Sequence, residues 1–563
     1  MRTLAELTGG NLYRSDPDLV RRLERGSAPT LDGRDRERLE RFGAFVAETV
    51  EPAAAYTDRY APPRLEPWDG EGRPIDRIVR NPLHAAAHAE VYRHGFVALN
   101  HVPERRPYRL TFAFGYLLAQ ADISLHCPAT LTGAVAWVLD RHAPEELRRR
   151  FLPAFLRTDG TAATGATWAT EVGAGSDLGA TATVARRTDG EDVGLTGLKW
   201  FASNADADMA LVTARPEGAP AGSAGIGLYL VPRRLPDGSL NRYRIRALKE
   251  KLGTRGLATG EIELDGAGAW QVAAPPEGLK AMLDAFGYSR IHNAMAAAGL
   301  QRRVFLEALA HARGREAFGH PLATYPMVQD VLLDLLARQE ASLLLALEAA
   351  AAFDAALADP AAKPWLRLVT ALAKFQTATW VVPAASALVE LMGGRGYVED
   401  HPASRLLRDA QVLPVWEGGA NIQAHEVLRL LSAGNAAAAY AARLEGVLGR
   451  LEGGLGDLAR PVAEALAACR RVAAGLAARP EEGSRIARRL ARVMAEALAA
   501  ALLLEAAAAD LAAGDARKAL VARRFVEGCR ERPWDLVGGE GPWQRCFAAI
   551  VDHAPIAASL LAA

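Results

Sequence analysis

The sequence predicts an α+β multidomain protein. It reads as an N-terminal helical domain, a middle antiparallel β domain, a C-terminal helical bundle and an extra C-terminal helical extension. Three observations predict this. The chain has 563 residues, too many for one core. Its apolar spacing changes from helical to alternating near Gly160 and back near Gly278. Beyond Leu431 the composition turns to Ala, Leu and Arg while keeping helical spacing.

Residues 1–160 form the first domain. DRERLERFGAFVAETVEPAAA and YRLTFAFGYLLAQADIS place apolar residues at helical intervals. Between them, the Pro- and Gly-rich YAPPRLEPWDGEGRPID reads as a surface loop or subunit contact. Residues 161–276 hold the β-like runs TATVARR, MALVTAR, GIGLYLV, YRIRAL and GEIEL, separated by turn signals such as TDGED and PDG. Residues 277–431 carry three long helical patterns, as a bundle requires. Residues 432–563 are the extension, helical until Pro and Gly break the pattern at ERPWDLVGGEGPWQR.

The 66 basic and 66 acidic residues cancel, so global charge selects no partner and any nucleic-acid surface must come from local segregation. The four cysteines, Cys127, Cys469, Cys529 and Cys546, form no C-x-x-C pair and have no accompanying His cluster. Neither a disulfide framework nor a metal site is expected. The longest apolar stretch, MAEALAAALLLEAAAADLAA, is interrupted by Glu496, Glu505 and Asp510 and predicts a buried helix, with no membrane partner. The first residues lack an apolar signal core, so the cytoplasm is the expected location.

Five motifs carry the chemistry. Thr167-Trp168-Ala169-Thr170-Glu171-Val172-Gly173-Ala174-Gly175-Ser176-Asp177 is a Gly-rich loop whose N–H groups and hydroxyls suit a polar ring edge or a pyrophosphate. Lys199-Trp200-Phe201-Ala202-Ser203-Asn204 offers an aromatic pair to a flat ring. Arg315-Glu316-Ala317-Phe318-Gly319 pairs a phosphate-binding Arg with a Phe beside Gly. Glu390-Leu391-Met392-Gly393-Gly394-Arg395-Gly396-Tyr397 is the fourth. Val415-Trp416-Glu417-Gly418-Gly419-Ala420-Asn421-Ile422-Gln423 sets a carboxylate beside two glycines that permit close approach. Each alone also fits an ordinary structure: a turn, a core aromatic pair, a helix C-cap, a helix-start carboxylate.

Together, in this order and spacing, they resemble the acyl-CoA dehydrogenase family over residues 110–431. The resemblance implies FAD as cofactor. It implies contacts from Thr167, Trp168, Ala169, Thr170, Gly175 and Ser176, from Phe201, Ala202 and Ser203, and from Arg315, Phe318, Gly394, Trp416, Gly418, Gly419 and Asn421. Glu417 matches the catalytic base that removes the α-proton, and Arg290 the arginine beside it. Ser289 occupies the alternative base position, which leaves Glu417 as the candidate. The sequence departs from the family at Val172 (usually Pro), at Pro326 and Glu390 (where Gln is common) and at Gly287, where an Asp often meets CoA.

NLYRSDPDL, RYAPPRLEPWDGEGRPIDRI, HCPATLT, GYSRI and WEGGANI, with the extension, are similar to the AidB subfamily. That likeness implies a homotetramer with little dehydrogenase activity, binding double-stranded DNA through the extension and linked to the DNA alkylation response. The extension holds 17 Arg and Lys against 15 Asp and Glu, so it is not strongly basic. Its charge is patterned, however. Arg485, Arg488, Arg489 and Arg492 share one helix face, and Arg470-Arg471, Arg517-Lys518 and Arg523-Arg524 extend the candidate DNA surface. A solvated helix face gives the same pattern. Trp534 and Trp543 read as packing residues. Three readings therefore stand: a DNA-associated flavoprotein with residual activity, a working dehydrogenase for a branched or bulky acyl-CoA, and a cofactor-free helical module, which the ordered motifs oppose.

Overall fold

A computed structural model describes residues 3–25, 31–188, 193–451, 455–476 and 480–530. Cys546, Trp534, Trp543 and the Pro/Gly break of the extension lie outside them. The chain divides into two compact units, Met1–Gly419 and Ala420–Ala563.

In the first unit, α1 (Tyr108–Ala119) and α2 (Ile123–His142) are apolar nearly all round, as core helices are, and α1 is buried along its whole length. Asp122 caps α2 by accepting from Ser124 N at 2.7 Å. The connector expected as a loop is instead a hairpin, β1 (Arg64–Trp68) and β2 (Pro74–Val79). Its register shifts between Glu66 and Trp68, where Pro67 sits, and a bulge is a place where a strand tolerates Pro. Asp69 closes the turn by accepting from Glu71 N and Arg73 N, both at 2.9 Å.

Among the described residues, the β domain has seven strands: β3 (Gly165–Trp168), β4 (Val184–Arg187), β5 (Val193–Ser203), β6 (Met209–Pro216), β7 (Gly227–Pro232), β8 (Tyr243–Leu248) and β9 (Thr259–Ala273). The order is β3-β6-β4-β5-β9-β7, with β8 also on β9 and β7 pairing back onto β6, so the path closes on itself. β8 and β9 alternate buried and exposed residues, whereas MALVTAR of β6 and GLYLVP of β7 are buried on both faces. The domain is mainly antiparallel, as expected, with two parallel pairings. β3 and β4 both run parallel to β6, because each reaches it through a crossover rather than a hairpin.

The bundle is α3 (Glu277–Gly314), α4 (Pro326–Ala358) and α5 (Lys363–Met392), packed on one another, with α1 against α3. By length and apolarity α4 could cross a membrane; here it is a bundle helix with most of its apolar window buried. A buried charge cluster ties the bundle to the N-terminal helices. Glu51 accepts from Arg303 and Arg405, each at 2.9 Å, and these arginines also donate to the Gln120 and Ala121 carbonyls. Such a cluster tolerates burial only because every charge is met.

The second unit contains α6 (Ala420–Ser432), which packs on α7 (Pro480–Ala512), and α8 (Arg517–Arg530), which does the same. Residues 493–504 of α7 are buried throughout, as the interrupted apolar stretch predicted.

Candidate functional site

The first motif begins on β3, where Trp168 is buried and its Nε1 donates to the Ser203 carbonyl at 3.2 Å. This bond joins the first motif to the second. The Trp200 amide then donates to Thr170 O at 2.9 Å. The loop that follows is stapled by Glu171. Its carboxylate accepts from Ala182 N at 2.7 Å, from Thr183 N at 3.2 Å and from Lys199 Nζ at 2.7 Å. With its ends fixed, the loop leaves Gly173, Gly175 and Ser176 exposed, with open space around both glycines. Thr167 and Thr170 are half-buried beside it, and Ala169 is buried.

In the second motif, Ala202 is buried and Phe201 is 59% exposed, an apolar ring with no core to enter. Lys249 Nζ lies 3.2 Å from the centre of the Trp200 ring and keeps that ring in place. The Ser203 hydroxyl favours the ionised form of the Cys127 thiol of α2, against the larger upward push of burial.

Arg315 and Phe318 stand at the end of α3, with Phe318 96% exposed at φ +51°. Gly394, just after α5, is exposed with open space around it. Asn421 is an exposed residue in the first turn of α6, in the second unit.

The chemical centre is built around Glu417. Its carboxylate Oε2 is buried, and the residue takes a left-handed φ of +58°, followed by Gly418 at +90°. Arg290 Nε of α3 donates to the Glu417 carbonyl at 2.9 Å. Lys374 Nζ of α5 donates to the Gly418 carbonyl at 2.8 Å. Burial pushes the Glu417 carboxyl up to about 7, against the pull of Arg290 and Lys374. Burial brings Lys374 down to about 8, with Glu417 opposing. Trp416 packs against an apolar group of Cys127, Leu131 and Leu257, and Ser289 is buried one residue before Arg290. A carboxylate that is partly buried, near neutral in pKa and backed by cations can take a proton from a weak carbon acid.

The residues present fit the flavin that the motifs imply. Among the described residues, Trp416 Nε1 is a buried donor with no hydrogen-bond partner. Phe201 offers a free ring face, and the Gly173–Ser176 loop is open for a polar tail.

Sequence reasoning missed the roles of two lysines. Lys374 stands alone in the apolar run LVTALAKFQTATWVV, and a lone cation in a core helix demands a partner, which is a readable signal. Lys199 opens the second motif, but nothing in that motif points to its bond with Glu171.

The extension requires a correction. Arg485, Arg488 and Arg489 are exposed on α7. Arg492 is half-buried and pairs with Glu496 at 2.9 Å. Arg523 is exposed and lies 3.7 Å from Glu527, and Arg524 is half-buried. Lys518, however, is 1% exposed and cannot meet a phosphate on the surface. It shares its helix face with Val521, Ala522 and Phe525, all buried, so the face that holds Lys518 points inward.

Family models match most of the chain. Residues 3–159 match the adaptive response protein AidB N-terminal domain, 166–267 the acyl-CoA dehydrogenase middle domain, and 276–431 its C-terminal domain. Acyl-CoA dehydrogenase family member 11 of Caenorhabditis elegans is 32% identical over 78% of this chain and 74% of its own. The putative acyl-CoA dehydrogenase AidB of Escherichia coli is 31% identical over 76% of this chain and 79% of its own. The crystal structure of C. elegans ACDH-11 in complex with C11-CoA covers 98% of this chain and 95% of that one, at 28% identity and TM-score 0.88. The chain therefore belongs to the acyl-CoA dehydrogenase family, with an AidB-type N-terminal domain, and its cofactor is FAD.

Proposed function

We propose that the protein catalyses α,β-dehydrogenation of an acyl-CoA thioester. One observation carries this reading: the Glu417 carboxyl, with its Oε2 buried, is held near neutrality beside the half-buried Arg290 and the buried Lys374. Its carboxylate takes the α-proton of the bound thioester. FAD, when bound, would supply the acceptor for the hydride of the β-carbon. Arg290 and Lys374 favour the ionised carboxylate, and the preceding residue, Trp416, packs on the apolar group of Cys127, Leu131 and Leu257. The C11-CoA bound by ACDH-11 makes chains of that length the first substrates to try. Anaerobic addition of acyl-CoA should bleach the flavin band rapidly in the wild type and not in Glu417→Gln. Equal bleaching in both would refute the assignment.

A second reading is association with double-stranded DNA and a part in the alkylation response. It is supported by the AidB-type N-terminal domain and by the exposed Arg485, Arg488 and Arg489. Its test is a salt titration of duplex binding. A cytoplasmic homotetramer is the accompanying proposal. Phe318, Met327 and Tyr397, 96%, 83% and 85% exposed, are the large apolar groups that subunit contact would cover. Sedimentation of the holoprotein as a monomer would overturn it.

A further inference from the structure

Glu417 and Gly418 both lie in the left-handed region, at φ +58° and +90°. For a residue with a Cβ such backbone costs on the order of 1 kcal/mol or more, so something must hold it. Two cations do so, from different helices and on successive carbonyls. Arg290 reaches the Glu417 carbonyl from α3, and Lys374 reaches the Gly418 carbonyl from α5.

Lys374 is the unexpected member. It is 1% exposed and flanked on α5 by buried Thr370, Ala371, Ala373, Phe375 and Ala378. The one carboxylate in the sequence of α5, Glu390, lies near its far end. The acid whose charge Lys374 meets is Glu417. A buried ammonium loses several kcal/mol of hydration that a single carbonyl contact does not restore, and an apolar side chain would pack there without that loss.

We propose that Lys374 is a positioning residue for the reaction at Glu417. Through the Gly418 carbonyl it fixes the left-handed turn, and through its charge it keeps the Glu417 carboxylate ionised and aimed at the α-proton. The charged and titratable groups facing that carboxylate are Arg290 on α3, Lys374 on α5 and the Cys127 thiol on α2. Burial pushes the thiol up to about 12, so it stays neutral, and Lys251 acts on the thiol in turn. Loss of Lys374 leaves Arg290 to oppose burial, and the proton affinity of Glu417 must rise.

The role rests on Glu417 being the base, but it can be read without turnover. In the FAD-loaded protein, the infrared carboxyl band that vanishes in Glu417→Gln reports the Glu417 titration directly. Its midpoint should rise by about one unit or more in Lys374→Gln, which keeps a donor of shorter reach, and in Lys374→Met. Flavin reduction by acyl-CoA at a pH just below neutrality should slow about tenfold in Lys374→Gln, the equivalent of one pH unit of lost ionisation. An unmoved midpoint in Lys374→Gln overturns the proposal. A raised midpoint in that variant upholds it even if Lys374→Met does not fold. A wild type that never reduces its flavin would defeat the dehydrogenase reading, while the midpoint would still report the clamp.

Discussion

In the β domain Lys199 Nζ lies 2.7 Å from the Glu171 carboxylate, whereas in the bundle Lys374 Nζ lies on the Gly418 carbonyl beside Glu417. Both lysines are buried and both feel a glutamate, yet the glutamates end up on opposite sides of their ordinary value. Burial pushes Glu171 up too, but Lys199, Thr183 and the Ala182 amide bond its oxygens and bring it below the usual carboxylate range. At Glu417 Arg290 Nε and Lys374 Nζ each donate to a backbone carbonyl, and burial outweighs the pull of both cations, so the carboxyl sits at about 7. A buried carboxylate raised to neutrality suits the proposed base, whereas one brought below its ordinary value by direct bonds, as Glu171 is, acts as a staple.

Removing the proposed base should cost the most. Glu417→Gln should reduce the rate of flavin bleaching by about 10²–10⁴-fold, the usual contribution of a general base. Stability should move the other way. The folded carboxyl at about 7 lies above the ordinary 4.5, so the wild type loses stability as pH rises between these values. The Gln variant escapes this loss, gaining at most on the order of 3 kcal/mol above pH 7 and nothing in acid. Denaturant titrations at the two pH extremes measure it; an equal gain in acid would mean the carboxylate is not strained by burial.

Lys199→Met should act mainly on the fold. Removing one partner of a buried pair destabilises by about 3–5 kcal/mol, and the loosened Gly173–Ser176 loop should release FAD more readily. The distinction between base and staple fails if Lys374→Met behaves the same way, losing stability and flavin without a change in the Glu417 titration. A milder outcome is expected at Phe201, whose ring is 59% exposed in the chain alone. Phe201→Ala should leave apoprotein stability within about 0.5 kcal/mol and weaken FAD binding by roughly tenfold, as lost ring packing would. Flavin fluorescence titration of the apoprotein measures the difference.

The candidate site was legible only as a set, because five motifs in one order resemble those of a single family while each alone also fits an ordinary structure. Glu417 with its glycines, the loop around Gly175 and Phe201 were assigned on that resemblance. The fold was legible where periodicity was uninterrupted, as in α3, α4 and α5. What sequence could not supply were contacts between distant segments. Nothing near Lys374 in the chain announces Gly418, and the parallel pairings of β3 and β4 with β6 depend on crossovers that period-2 patterning does not encode. The hairpin Arg64–Val79 was hidden by prolines that a bulged edge strand accommodates. Lys518 misleads for another reason: beside Arg517 it reads as part of a basic pair, although Val521, Ala522 and Phe525 place it on the buried face.

Arg488, Arg489 and Lys518 carry the same distinction to the second unit, with the weakest consequences, since the first two are charges that no burial constrains. Arg488→Glu with Arg489→Glu should change stability by no more than about 0.5 kcal/mol, as exposed substitutions do. If the helix face meets duplex DNA, the same pair should lower the slope of log affinity against log salt by roughly 2, about one for each phosphate no longer neutralised. Lys518→Ala should do the reverse, destabilising the second unit while leaving the salt slope unchanged, because its side chain is buried. An unchanged slope in the double variant would identify the exposed arginines as a solvated face. A slope that falls in Lys518→Ala would mean that the buried face of α8 opens to meet DNA. Lys199, Lys374 and Lys518 are charges the fold buries, so their partners must be sought within the chain; Arg488 and Arg489 are charges it exposes, within reach of a molecule outside the chain.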